Sequence, residues 1–170
     1  SKVIMFIAVM SALGNILSLF SIMISPIIPS IPLGPINVSI AFDLSHLTTF
    51  IAALFGGPIA GGLTGLIGGL MAAYEFGFSQ GNFITGFGLP LGKALTGLTS
   101  GLLFNAFKLL SRRRLLMVLA TVSAYIPEAL YTFFLFVVIF PAVFGLPNWL
   151  AGIIASQIVA KAFVEMVIMG

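Results

Sequence analysis

FDLSHLTTFIAALFGGPIAGGLTGLIGG, residues Phe42–Gly69, is the stretch on which the fold turns. It starts acidic and polar, runs into a short apolar helix, breaks at Gly56-Gly57-Pro58 and resumes as a glycine-laced second helix. In water Gly61, Gly62, Gly65, Gly68 and Gly69 would make that helix poor, because each glycine costs about 1 kcal/mol against alanine. In lipid, small residues let neighbouring backbones approach closely. The segment therefore reads as the packing seam of a small helical membrane protein.

Composition agrees. Of the 170 residues 60% are hydrophobic and 6% charged, against about 25% charged in a soluble domain. No long polar region offers a second domain, so residues 1–170 read as one membrane-embedded unit. The basic residues gather at Lys108 and Arg112–Arg114 instead of spreading along a face, which argues against nucleic acid as a partner. Without cysteine there are no disulfides, thiol nucleophiles or thiolate metal sites.

A helix needs about 20 apolar residues to cross the hydrocarbon core. Six spans are expected: Val3–Ile24, Val38–Phe55, Pro58–Tyr74, Leu91–Leu110, Leu115–Phe140 and Trp149–Met169. The first is too long for a cleavable signal core and is kept as a span. Ser1 is not a natural start, so the chain reads as trimmed or tagged there. Pro26, Pro29, Pro32 and Pro35 exclude helix after the first span and favour extended backbone. Glu75–Leu89 is expected to be a second long connector. With six spans, Lys2, Lys108 and Arg112–Arg114 share one side, and the positive-inside rule makes both termini cytoplasmic. The long loops then face outward, a layout suited to capture from outside.

The first span carries a small-xxx-small pair, Ala8 and Ala12, with Gly14 and Ser18 nearby. This pair, the Pro-rich IPSIPLGPINVSIAFDLSHL followed by LFGGPIAGGLTGLIGG, and the even topology with a basic loop before the fifth span together resemble one family. It is the substrate-binding S component of energy-coupling factor (ECF) importers, and the likeness covers essentially the whole chain. The resemblance implies a compact all-α bundle of six transmembrane helices in a prokaryotic plasma membrane. It also implies a vitamin-like small-molecule ligand, no resident cofactor, and partners in a transmembrane coupling subunit and two cytoplasmic ATPases. Ala8 and Ala12 would form the docking surface for that subunit. The chain itself has no G-x-x-x-x-G-K-[ST] loop, so it would hydrolyse nothing.

Ionisable and polar residues inside spans are site candidates by default. Lys93 stands near the outer end of the fourth span, Glu128 follows Pro127 in the fifth, and Gln157, Lys161 and Glu165 recur at four-residue spacing in the sixth. At 1.5 Å per residue Glu128 and Lys161 fall at equal depths, about 18 Å below Phe140 and Trp149, so a pair across the two spans competes with an internal Lys161–Glu165 pair. Lys93, Glu128 and Gln157 are expected to touch ligand, and the two opposite charges suit a polar, zwitterionic or heterocyclic one. Tyr125 and Tyr131 flank Glu128 and would give a polar-aromatic face for a flat ring. Asn148 and Trp149 lie at the outer mouth of the sixth span, where anchoring and ligand stacking are equally good readings of the tryptophan. Asn82, among Gly81, Gly86 and Gly88, reads as part of a lid.

Asp43 reads as a helix N-cap. His46 is the only histidine and makes a poor metal site, so a metal substrate is disfavoured. DLSHL…GPIAG resembles the riboflavin type and IPLGPINVSI the biotin type. Ala151 stands where the riboflavin type carries a lysine after Asn148, and FGFSQGNFITGFGLP replaces a GPTGGY-like segment of the biotin type. The class is thus a water-soluble vitamin or precursor, with the individual compound open. A stand-alone small-solute channel or facilitator is the alternative; an enzyme lacks any HExxH or acidic motif to build on, and an assembly subunit would bind no ligand tightly.

Overall fold

A computed structural model describes residues 2–27, 30–33, 36–39, 42–107, 114–145 and 147–170. The chain runs α1 (Lys2–Ile24), β1 (Ser30–Leu33), β2 (Ile36–Ser39), α2 (Ser45–Gly68), α3 (Leu70–Phe76), a 3-10 turn (Phe78–Gln80), α4 (Phe83–Phe107), α5 (Arg114–Phe134), a π-helical stretch (Leu135–Ile139), α6 (Phe140–Phe144) and α7 (Asn148–Met169). It is an α-helical protein with one small antiparallel ribbon, in which Ile31 faces Val38 and Pro32 faces Asn37. Four helical segments among the described residues, Lys2–Ile24, Ser45–Gln80, Leu115–Phe144 and Asn148–Met169, are long and apolar enough to cross a membrane.

The distribution of polarity is that of a protein in lipid. Ile4, Phe20, Phe55, Ile59, Phe83, Leu115 and Leu130 point outward, while Ser11, Ser18, Thr48, Thr64, Thr96 and Ser100 are buried. Without water to hydrogen-bond, helices keep their backbone satisfied internally and pack through small residues. On α1 the buried stripe is Ile7, Ser11, Gly14, Ser18 and Ser21. Ala8 and Ala12 lie on the exposed side of the same helix.

α2 is two arms. Gly57 adopts φ 80° and ψ −172°, a backbone open to glycine alone, and Pro58 then starts a fresh helix where its missing N–H costs nothing. A Cβ placed on Gly61 would lie 2.9 Å from the Ala53 Cα, whereas eight residues of straight helix would separate them by about 12 Å. A Cβ on Gly14 would likewise meet Thr48 Oγ1 at 2.8 Å and Gly68 Cα at 3.4 Å, one from each arm. The chain therefore doubles back at Gly57. The first arm, from Ser45 to Gly56, is only about 18 Å long.

This corrects the expected span Val38–Phe55. Val38 belongs to β2, and the helix begins seven residues later, at Ser45. β-Branched Ile36 and Val38, alternating with polar Asn37 and Ser39, suit a pleated ribbon better than a helix. The expected connector Glu75–Leu89 is also mostly helical. Asn82 Oδ1 accepts the Thr85 N–H at 3.1 Å and so caps α4 well before Leu91. Gly81 alone is left-handed there, at φ 70°, while Gly86 and Gly88 lie within α4. Pro29, Pro35, Lys108 and Arg112–Arg113 lie outside the described residues.

The second arm packs antiparallel against α4 with backbone nearly on backbone. A Cβ on Gly61 would reach the Gly97 carbonyl oxygen at 2.5 Å, and one on Gly101 would reach Pro58 N at 2.5 Å. The break between α2 and α3 is patched from α1. Asn15 Nδ2 donates to the Ile67 carbonyl at 2.9 Å and its Oδ1 accepts the Met71 N–H at 2.8 Å. Replacing Gly97 by valine should cost more than the roughly 1–3 kcal/mol of ordinary overpacking, read as a lower melting temperature in detergent. Gly152→Ala, in a place where a Cβ meets nothing within 4 Å, should melt no lower than the parent.

Candidate functional site

Between the helices lies a half-open cavity of about 570 Å³, within the roughly 300–1,000 Å³ usual for small-molecule sites. α1 contributes Ser18 and Ser21, the segment before α2 contributes Phe42 and Asp43, the first turn of α2 contributes His46, and α4 contributes Gly92 and Lys93. α5 and the π-helical stretch supply Tyr125, Glu128, Tyr131, Leu135 and Phe136, and α7 supplies Gln157, Lys161 and Glu165. A π-helical turn holds one residue more than an α-turn and commonly marks functional sites; here it sets Leu135 and Phe136 in the wall.

Charged groups meet on one side of this cavity. Lys93 Nζ lies 2.7 Å from Asp43 Oδ2 and donates to Ser45 Oγ. Asp43 Oδ1 accepts from Ser45 N at 3.1 Å and Ser45 Oγ at 2.6 Å. Asp43 thus turns the chain into α2, as its N-cap reading anticipates, and also serves as the counter-ion of Lys93. Burial raises the Asp43 carboxyl, but Lys93, with His46 and the Ser45 hydroxyl, outweighs it and holds the group below the usual carboxylate range. The backbone N–H of Asp43 donates to Glu165 Oε1 at 3.1 Å.

A second group centres on Glu128. Its Oε2 accepts from the Thr96 hydroxyl and lies 3.4 Å from His46 Nε2. His46 Nδ1 is 3.8 Å from Asp43 Oδ2 and makes no hydrogen bond among the described residues. The imidazole therefore stands between two carboxylates from different parts of the chain. Lys161 pairs with Glu165 at 3.7 Å, one turn along α7. Of the two arrangements the sequence allowed for Lys161, the internal one is present.

Of the residues singled out from sequence, Asn82, Lys93, Tyr125, Glu128, Tyr131 and Gln157 line the cavity. Asn148 and Trp149 do not. Both are exposed at the start of α7, and Trp149 is 63% exposed. Asn82 serves as a helix cap at the rim and not as part of a glycine-hinged loop. Sequence reasoning missed Asp43 and His46 as cavity groups. The available signal was their spacing, since residues three apart at a helix start share a face. Thr96 and the serines of α1 gave none, because a hydroxyl in a membrane helix can bond its own backbone, as Ser21 does to the Leu17 carbonyl.

Compared with models of known protein families, with curated proteins and with solved structures, the chain matches none.

Removing one member of the Lys93–Asp43 pair leaves a charge stranded. Lys93→Met should destabilise the protein by about 2 kcal/mol, less than the roughly 3–5 kcal/mol of a fully buried pair, because the Asp43 side chain is 30% exposed. The double variant Lys93→Met/Asp43→Asn should recover part of that loss in thermal unfolding. Additive losses would show that the two groups do not depend on each other.

Proposed function

We propose that this protein is the substrate-capturing S component of an ECF-type importer, binding a water-soluble vitamin-like compound from outside and delivering it inward with a coupling subunit and two ATPases. The observation that carries this reading is the cavity lined by charged side chains, set among helices whose outer surface is apolar. Nothing in the chain carries a nucleotide-binding loop, so an energy source must come from partners.

The topology of the reading counts each arm of α2 separately. α1, the first arm, the second arm with α3, α4, α5 with α6, and α7 make six passes, the first arm being a partial one. Lys2, Gly170 and the end of α4 then share one face, cytoplasmic by the positive-inside rule because Lys108 and Arg112–Arg114 follow α4 in the sequence. The exposure of Ala8 and Ala12 supports their role as a docking surface, since α1 uses Ser11, Gly14 and Ser18 for its own packing.

Co-reconstitution with a coupling subunit and its ATPases should give ATP-dependent uptake of one compound from a vitamin panel. Calorimetry on the purified protein identifies that compound first; Trp149 fluorescence is a poor reporter, because the residue lies outside the cavity. Ala8→Leu with Ala12→Leu should leave ligand affinity unchanged and abolish uptake. Uptake without ATP or partners would instead favour a facilitator, and loss of affinity in the double variant would show that the alanine face serves the fold.

A further inference from the structure

Three carboxylates and two ammonium groups line the cavity. Two of the carboxylates already face an ammonium group: Asp43 faces Lys93 and Glu165 faces Lys161. Glu128 faces none among the described residues. Its partners are a hydroxyl and an imidazole, and both act on Oε2. Oε1 carries no hydrogen bond among the described residues, in a side chain only 10% exposed. Residue 92, on the adjacent turn of α4, is a glycine; a Cβ there would lie 3.3 Å from this same oxygen. The glycine lets the Glu128 side chain pack close against α4 at the cavity wall.

We propose that the cavity takes a ligand whose polar end is a positively charged, planar N–H donor group, an amidinium or a protonated amino-heterocycle, anchored on Glu128. The inference rests on the cavity being the ligand site of the function proposed above. A charge-assisted hydrogen bond to a carboxylate is roughly twice as strong as a neutral one, and a planar pair of N–H groups matches carboxylate geometry. Tyr125 and Tyr131, on either side of Glu128 along α5, both line the cavity and suit a flat cationic ring. Among the described residues both cavity ammonium groups already face a carboxylate, so an anionic ligand would have to share its cation. Lys93 is committed to Asp43 and Ser45, and Lys161 faces Glu165. Lys93, which sequence reasoning paired with Glu128 as a ligand contact, thereby becomes the support of Asp43 and leaves the recognition of charge to Glu128.

The test uses three probes of one shape and three charges: benzamidine, benzamide and benzoate, titrated calorimetrically into the detergent-purified protein at millimolar concentration. Benzamidine should bind about tenfold or more tighter than either of the others, the span of a single good charged contact. In Glu128→Gln, which keeps an oxygen for Thr96 and His46, that preference should fall to about twofold or less. The wild-type ranking decides the matter even if the variant fails to fold. Benzamide binding best overturns the inference and shows that a proton on His46 already balances Glu128. Benzoate binding best overturns it too; in both cases the cavity remains a ligand site and the capture function stands. Binding of none of the three overturns the cavity as a ligand site along with the inference.

Discussion

The contact between two backbones, the second arm of α2 and α4, fixes everything above it. Side chains ordinarily hold helices 8–10 Å apart; Gly61, Gly65, Gly97 and Gly101 remove that spacer and let carbonyl oxygens lie against Cα atoms of the neighbour. Where there is no hydrophobic drive between helices, such contact supplies the association through dispersion and close fit. The same seam sets the height of Lys93, whose carbonyl lies against Gly65. From that position its ammonium group meets Asp43, at the start of the other arm. A bulkier residue in the seam would therefore disturb a charge pair it never touches.

The arrangement of charges follows from the low dielectric. Ions taken from water need partners at short range and further hydrogen bonds on their remaining lone pairs. Asp43 meets that demand with Lys93, the Ser45 hydroxyl and the Ser45 backbone N–H. Glu128 meets it only in part. The contrast is informative, because both carboxylates line the same cavity and, among the described residues, only Asp43 of the two faces an ammonium group.

Much of the fold was legible in the sequence. The Gly-Gly-Pro break, the close-packed glycine helix and the long apolar runs of α1, α5 and α7 all leave strong local marks. The start of α2 left little, since Val38–Ala41 has the apolar content of a helix and only β-branched Ile36 and Val38 hint at the ribbon of residues 36–39. Six cavity residues were also readable, because an ionisable or aromatic-polar group in an apolar run has little reason to be there. Asp43 and His46 were hidden by a good local explanation: a cap needs nothing beyond its own turn, whereas the Asp43–Lys93 pair joins residues 50 positions apart. Trp149 misled for the opposite reason. Its position at a helix mouth is real, but an interfacial ring gains as much from the headgroup region as from a binding site.

The segment leading into α2 has a consequence for how the molecule is made. Its N–H groups lie ahead of the first helical turn and find partners on α1 and α7. The Leu44 N–H donates to Ser21 Oγ of α1 at 3.3 Å. The Asp43 N–H donates to Glu165 of α7, 122 residues further on. As the chain leaves the ribosome, α1, α2 and α4 can dock through contacts that are local or nearly so. The Asp43 peptide must wait for α7 before its hydrogen bond exists. Late closure of long-range contacts is slow and exposes unfinished surfaces, so until α7 has been made the nascent protein carries its scaffold but not its pocket.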